Sequence, residues 1–387
     1  MTRKAVFVYD QSLSQHQLRG DHPMRPIRLQ HTFELLRAYG AFDGTASTLV
    51  PPRPATDEEL AWLHTQEYIQ AVRFFSGGGP GGPGVRVYDR ARFNFDDQGD
   101  NPTYPGMFEA AALSTGSSLV AAELVAEGQV DAAFNISGGL HHAAAGQASG
   151  FCVFNDAALA IKLLLNRGKR VAYVDIDAHH GDGVQNAFFD DNRVLTISIH
   201  ESGQYLFPGT GSPSELGLDR GIGYSVNIPL YPYTDDEIYL ETFNAVVPPL
   251  LRAFAPDVLV TQLGIDSYHS DPLTHLQVTT RGYEAAVRGL AELGYPWVAL
   301  GGGGYDLSAV ARAWTLAYGV MLEVDWPDAI PAEFNRQPQT EGLGIRQLRD
   351  TVRLDVPADV RRDARRFAQE SAAAIKREVF PIHGLVG

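Results

Sequence analysis

The chain has 387 residues, 44% hydrophobic and 20% charged, the composition of a globular protein able to bury a large core without metal or disulfide staples. Its 31 Lys and Arg against 46 Asp and Glu leave a formal charge of −15, which argues against direct nucleic-acid binding and is compatible with lysine-rich, cationic partners. The one cysteine, Cys152, excludes an internal disulfide, and no uninterrupted apolar run of about 18 residues predicts a membrane span.

The N-terminal MTRKAVFVYD runs straight into a strand over 5–9, which predicts no signal peptide and a cytoplasmic location. A loop with His22 and Pro23 precedes a helix over 26–39, opened by Pro26 and followed by Gly40. Arg28 falls in its first turn, a poor place for a cation, so it either meets a local anion or is an ordinary surface residue. Thr56 and Glu59 make a capping box that predicts a helix to about Phe75. SGGGPGGPG (76–84) must be a loop, read as a surface excursion rather than a linker between domains. A polar, aromatic, acidic stretch (93–102) and an Ala-rich helix (106–127) follow.

From residue 131 strand, loop and helix alternate. Strands are expected at 132–137, 171–174, 194–200, 224–230, 258–264 and 297–305, with helices at 155–166, 235–255, 281–293 and 307–321. That rhythm predicts an α/β fold: a central parallel sheet flanked by helices on both faces, in a single domain with its core at about 5–322. A charged helix over 358–377 is expected on the surface. Cys152, inside the apolar run GFCVF, reads as core rather than nucleophile.

The chemistry gathers where these strands end. After VAYV (171–174) come Asp175, Asp177, His179, His180 and Asp182, an acid and imidazole density that needs a compensating charge, most simply a divalent metal. In extended chain Asp175, Asp177 and His179 would share a face. Other strand ends carry His141 and His142, Ser198 and His200, Asp266, and Tyr305 after four glycines. Sites of parallel sheets lie beyond the carboxyl ends of the strands, so these residues should meet. A catalytic zinc keeps about three protein ligands, and Asp177, His179 and Asp266 supply them; their oxygen-rich field also accepts Fe²⁺. Such an ion acidifies a water and polarises a carbonyl. His141 and His142 are the candidate bases, with Asp175 and Asp182 free to orient them. Tyr305 could offer its hydroxyl to an oxyanion, or be an ordinary tyrosine at a helix start. Gly150, Phe151 and Phe207 fit an apolar slot or the core equally well.

The motifs GGLHHA (138–143), GFCVFND (150–156), VDIDAHHGDGVQ (174–185), FPGTG (207–211), LGIDSYHSDPL (263–273) and GGGGY (301–305) resemble, in order, the histone deacetylase family in its class I-like pattern. Length and acidity are similar to those of its bacterial acetoin-utilisation deacetylase branch. The resemblance implies the arginase–deacetylase fold and hydrolysis of N-ε-acetyl-lysine by a zinc-dependent amidohydrolase. It implies Zn²⁺ (or Fe²⁺) on Asp177, His179 and Asp266, His142 as general base and acid, His141 as its electrostatic helper, and Tyr305 as carbonyl polariser. Asp175 would back His141 and Asp182 would back His142. Phe151, Phe207 and Gly150 would form the acyl-lysine tunnel, Leu273 its mouth, and Asp100 the grip on the substrate backbone. Arg28 would sit at an internal acetate channel. A structural K⁺ would use Asp175, Asp177, His179, Ser198 and the backbone of Ile199. Leu273 at the mouth favours acetylated protein or peptide over a polyamine, whereas the His22-Pro23 loop keeps acetylpolyamines open. Two rivals stand beside this reading: a two-metal ureohydrolase of arginase type, and a non-catalytic acyl-lysine sensor.

Overall fold

The computed structural model describes residues 3–16, 18–78, 88–340 and 342–386; residues 79–84 of the Gly/Pro stretch lie outside them. The apolar runs form β1 (Ala5–Val8), β2 (Ser47–Val50), β3 (Ala132–Asn135), β4 (Val171–Asp175), β5 (Val194–Glu201), β6 (Ser225–Leu230), β7 (Val258–Gln262) and β8 (Trp297–Leu300). They pair in parallel in the order β2-β1-β3-β8-β7-β4-β5-β6. Apart from β2, every strand residue is buried, as expected where helices cover both faces.

The helices are α1 (Ile27–Ala38), α2 (Asp57–Leu60), α3 (Gln66–Arg73), α4 (Met107–Ala126), α5 (Asp156–Asn166), α6 (Asp182–Ala187), α7 (Asp236–Phe254), α8 (Thr280–Ala291), α9 (Leu307–Leu322) and α10 (Ala358–Glu378). Strand alternation splits the core in two. Phe7, Phe134, Ala172, Val174 and Leu259 pack with residues of α1 and α7–α10. Val6, Ala133, Tyr173, Val258 and Val260 pack with residues of α3–α6.

The differences from the expected elements have local causes. The single helix expected from Thr56 is two, α2 and α3. The capping box forms, but the chain then turns inward at buried His64, and Thr65 accepts the Tyr68 N–H at 3.2 Å to start again. Strands β3, β7 and β8 stop two to five residues short of their expected ends, because the segments beyond the last rung turn into the site. Strand β2, half exposed, and the six-residue α6 had no clear periodicity to betray them. Helix α10 lays Ala364, Ala368, Ser371 and Ile375 against the core beside β6 and α7, and Ser371 Oγ donates to Pro229 O at 2.9 Å. Among the described residues no helix is long and apolar enough to cross a membrane.

The register matters most for function. Asn135 and Gln262 both pair with Leu300, and Asp175 pairs with both Gln262 and Ser198. Four adjacent strands, β3-β8-β7-β4, therefore end level, with Ser198 of the longer β5 beside Asp175, and the loops of the four open onto one place.

Candidate active site

Beyond β4 the backbone folds through successive Asx-type turns: Asp175 Oδ1 accepts the Asp177 N–H at 3.1 Å and Asp177 Oδ1 the His179 N–H at 3.0 Å. From the end of β7, Asp266 Oδ1 accepts the Ala178 N–H at 2.7 Å. These bonds aim Asp177, His179 and Asp266 at one point, where their ligand atoms lie within 4.8 Å of one another, all buried. His179 Nδ1 is 3.1 Å from Asp177 Oδ1 and 2.9 Å from Asp266 Oδ2.

The donor set fits a divalent ion. Burial and the facing Asp177 push the Asp266 carboxyl up, and burial of His179 is outweighed by both carboxylates, which raise its imidazole well above the ordinary value. Two buried acids in contact demand positive charge between them, and an ion bound by all three supplies it. The backbone leaves it room: a Cβ on Gly303 would lie 2.0 Å from Asp266 Oδ2 and 2.7 Å from Asp177 Oδ2. Asp177 is further held by Gln262 Nε2 at 2.5 Å and Gly303 N at 2.7 Å. Among the described residues this is the one cluster of its kind.

Beside it stand two histidines, each with its own acid. His141 Nδ1 lies 2.7 Å from Asp175 Oδ2, which also accepts the Tyr173 hydroxyl at 2.7 Å. His142 Nδ1 lies 2.7 Å from Asp182 Oδ1, and the two Nε2 atoms are 3.0 Å apart. Burial alone would lower His141, but Asp175 and Asp177 override it and raise it to about 9. Burial and the charge on His141 lower His142 to about 4. With each Nδ1–H directed at its own carboxylate, the Nε2 of neutral His142 keeps its lone pair and can act as a base.

The loop carrying the pair is pinned from below. Asp156 accepts the N–H groups of Gly139 and Leu140 at 2.9 and 2.8 Å, and Asn155 Nδ2 donates to the carbonyls of His141 and Ala143 at 3.2 and 3.0 Å. His64 bridges Ala144 O (3.1 Å) and Asn155 N (3.0 Å).

The aromatic residues wall the approach. Phe207 packs edge-on to His142 at 5.1 Å, and Phe151 to Tyr305 at 5.8 Å. Gly150, at φ +48°, is required here: a Cβ would sit 2.4 Å from His142 Cδ2. Burial and the carboxylates of Asp266 and Asp177 raise the Tyr305 phenol well above its ordinary value, so it remains a donor. Asp100 is exposed. Its carbonyl accepts His22 Nε2 at 3.2 Å, while the neighbouring Asn101 accepts the Phe151 N–H at 3.0 Å. Leu273 is half-buried on the segment after Asp266.

Arg28 is buried. Its Nη1 donates to Gly304 O at 3.0 Å, its guanidinium lies 5.1 Å over the Trp314 ring, and its Nε has no partner among the described residues. It lines a partly open pocket of about 60 Å³ with His16, Tyr104, Ser137 and Phe151. Ser198 lies level with Asp175, its Oγ 2.8 Å from His200 Nδ1. Cys152 is buried, and burial pushes its thiol up, as suits a core residue.

A model of the histone deacetylase domain matches residues 22–321 of this chain. The chain belongs to the histone deacetylase family. Among its relatives, acetoin utilization protein AcuC of Bacillus subtilis (strain 168) is 42% identical over 339 residues, 86% of either chain. Histone deacetylase 1 of Homo sapiens is 38% identical over 329 residues, 85% of this chain and 67% of that one. The crystal structure of a histone deacetylase homologue from Aquifex aeolicus superposes with a TM-score of 0.81 at 30% identity, over 96% of this chain and all of that one. The arginase–deacetylase fold expected of the family is the fold found.

Several residues of the site were given no part in it by the sequence: Gln262, Asn101, Asn155, His64 and Asp271. Gln262 had a signal, being a polar side chain at the end of an apolar strand. Asn155 had another as a helix cap. His64, Asn101 and Asp271 each reach a partner 34 to 91 residues away, and local pattern carries no trace of those contacts.

Proposed function

We propose that this chain hydrolyses the acetamide of N-ε-acetyl-lysine side chains in proteins or peptides, releasing lysine and acetate. The observation that carries the reading is the meeting of the Asp177–His179–Asp266 triad with two carboxylate-backed histidines beside an aromatic wall. Asp177, His179 and Asp266 would hold Zn²⁺, or Fe²⁺ in the same field. An ion bound there would supply Lewis acidity toward the amide carbonyl and the attacking water.

The rest belongs to side chains. His142 Nε2 takes the proton from the attacking water while Asp182 holds its other nitrogen. His141, kept cationic by Asp175, opposes early charging of His142 and so keeps it a base. Tyr305 donates its hydroxyl to the tetrahedral oxyanion. His142 then returns the proton to the departing lysine amine. Phe151 and Phe207 enclose the apolar lysine stem, with Leu273 at the mouth and Asp100 available to the substrate backbone. Arg28, cationic and short of one acceptor, suits an acetate in that pocket. A structural K⁺ is assigned to Asp175, Asp177, His179, Ser198 and the Ile199 carbonyl.

The test is turnover of an acetyl-lysine peptide and an acetylated polyamine, side by side, by chelator-stripped protein with Zn²⁺ or Fe²⁺ restored. Metal-restored turnover of the peptide is expected. Turnover of the polyamine alone overturns the substrate reading and leaves the chemistry. Binding without turnover of either supports a sensor, and two transition metals per chain would favour the ureohydrolase.

A further inference from the structure

Asp271 is a buried carboxylate that this chemistry leaves unused, 7% exposed on the segment after Asp266. Its two oxygens serve two different parts of the site. Oδ1 accepts the Leu273 N–H at 3.0 Å, closing a local turn at the tunnel mouth. Oδ2 reaches across the fold to the Tyr305 N–H at 2.8 Å. The residue before it makes a parallel contact, Ser270 Oγ donating to Asp306 Oδ2 at 2.6 Å, and Asp306 is the N-cap of α9. Asp271 is itself anchored, its N–H bonded to Tyr268 O at 2.8 Å.

Tyr305 needs such an anchor. It follows four glycines that have left the β8 ladder, with Gly302 and Gly304 at φ +132° and +133°. Glycine backbone is the least restrained a chain can offer; Gly303 is tied to Asp177 and the Gly304 carbonyl to Arg28, and Asp271 supplies the tie at Tyr305 itself. The N–H of Tyr305 is the first group after the glycines, and a charged acceptor makes one of the stronger hydrogen bonds available.

Resting on the activity proposed above, we infer that Asp271 is the positioning residue for Tyr305, and that through Leu273 it sets the oxyanion donor and the tunnel mouth in one fixed relation. A single carboxylate then locks the hydroxyl that must meet the oxyanion to the rim that the lysine stem passes.

The test uses the full-length, metal-loaded chain with Asp271→Asn and Asp271→Ala, each in wild-type and Tyr305→Phe backgrounds. Asn presents its NH₂ to one of the two N–H donors and keeps one bond, so it is the milder change. In the wild-type background kcat should fall by about 10-fold for Asn and about 100-fold for Ala, with KM moving far less and metal content unchanged. In the Tyr305→Phe background, where no hydroxyl is left to place, the same substitutions should change kcat by less than about 3-fold. Equal losses in both backgrounds, or loss of metal, would overturn the inference. Hydrogen exchange of the Tyr305 amide gives a readout independent of turnover: it should quicken in Asp271→Asn, and unchanged exchange overturns the inference even if no substrate is found. An inactive wild type with quickened exchange would count against the proposed activity alone.

Discussion

The floor of the site and its mouth are built by different rules. On the floor, Asp175, Asp177, His179, Asp266, His141 and His142 are all buried and follow strands that end level. Each of the acids and both active histidines has at least one bond that sets its direction. At the mouth, Phe207 is 43% exposed, Asp100 is exposed, and Leu273 is half-buried. Where the sheet dictates position, chemistry is fixed to fractions of an ångström. Where loops do, substrate range is left adjustable.

The largest effect should come from the floor. Asp266→Ala removes one ligand of the triad and an acceptor for Ala178 N. Metal content should drop and turnover should fall by about 1,000-fold or more, since an ion held there would take several kcal/mol off the barrier. Metal analysis alongside initial rates checks this, and a variant that keeps its metal and its rate breaks the floor reading.

A pH experiment probes the support beneath the floor. Burial lowers His64 to about 4 in the folded chain, against about 6.5 unfolded. As pH falls below about 6.5 the unfolded chain takes the proton first. Stability from neutral His64 is therefore whole above that pH and is lost progressively down to about pH 4, by at most about 3 kcal/mol. Urea unfolding at pH 7 and pH 5 should show the decline, and His64→Gln should flatten it. A wild-type curve with no slope in that window would remove His64 from its place under the catalytic loop.

The mouth should answer most gently. Phe207→Ala removes an exposed ring that packs against His142. KM for an acetyl-lysine peptide should rise by about 10-fold with a smaller change in kcat. A kcat loss matching that of Asp266→Ala would erase the distinction between floor and mouth.

Much of the floor was legible because period and punctuation reveal strand ends, and the ligand-type residues stood immediately after them. The family motifs then supplied roles that spacing alone left open, as between Tyr305 the donor and Tyr305 the helix starter. Arg28 shows the limit. Its place in the first turn of α1 was visibly odd, but only the fold shows the odd charge resolved by a carbonyl and an indole face. The break between α2 and α3 was hidden for the same reason. His64 is drawn inward by Ala144 and Asn155, 80 and 91 residues away, and a helical pattern carries no record of that pull.

Helix α10 has a consequence far from the chemistry. Strand β6 is the last of its sheet, and an outer strand offers its unpaired backbone as a template for another chain. Here Pro229 removes one donor from that template, Ser371 takes the carbonyl beside it, and α10 lies alongside. The last part of the chain thus works as a guard against strand addition. A shortened form ending before Ala358 would keep the Asp177–His179–Asp266 cluster and leave that outer strand uncovered.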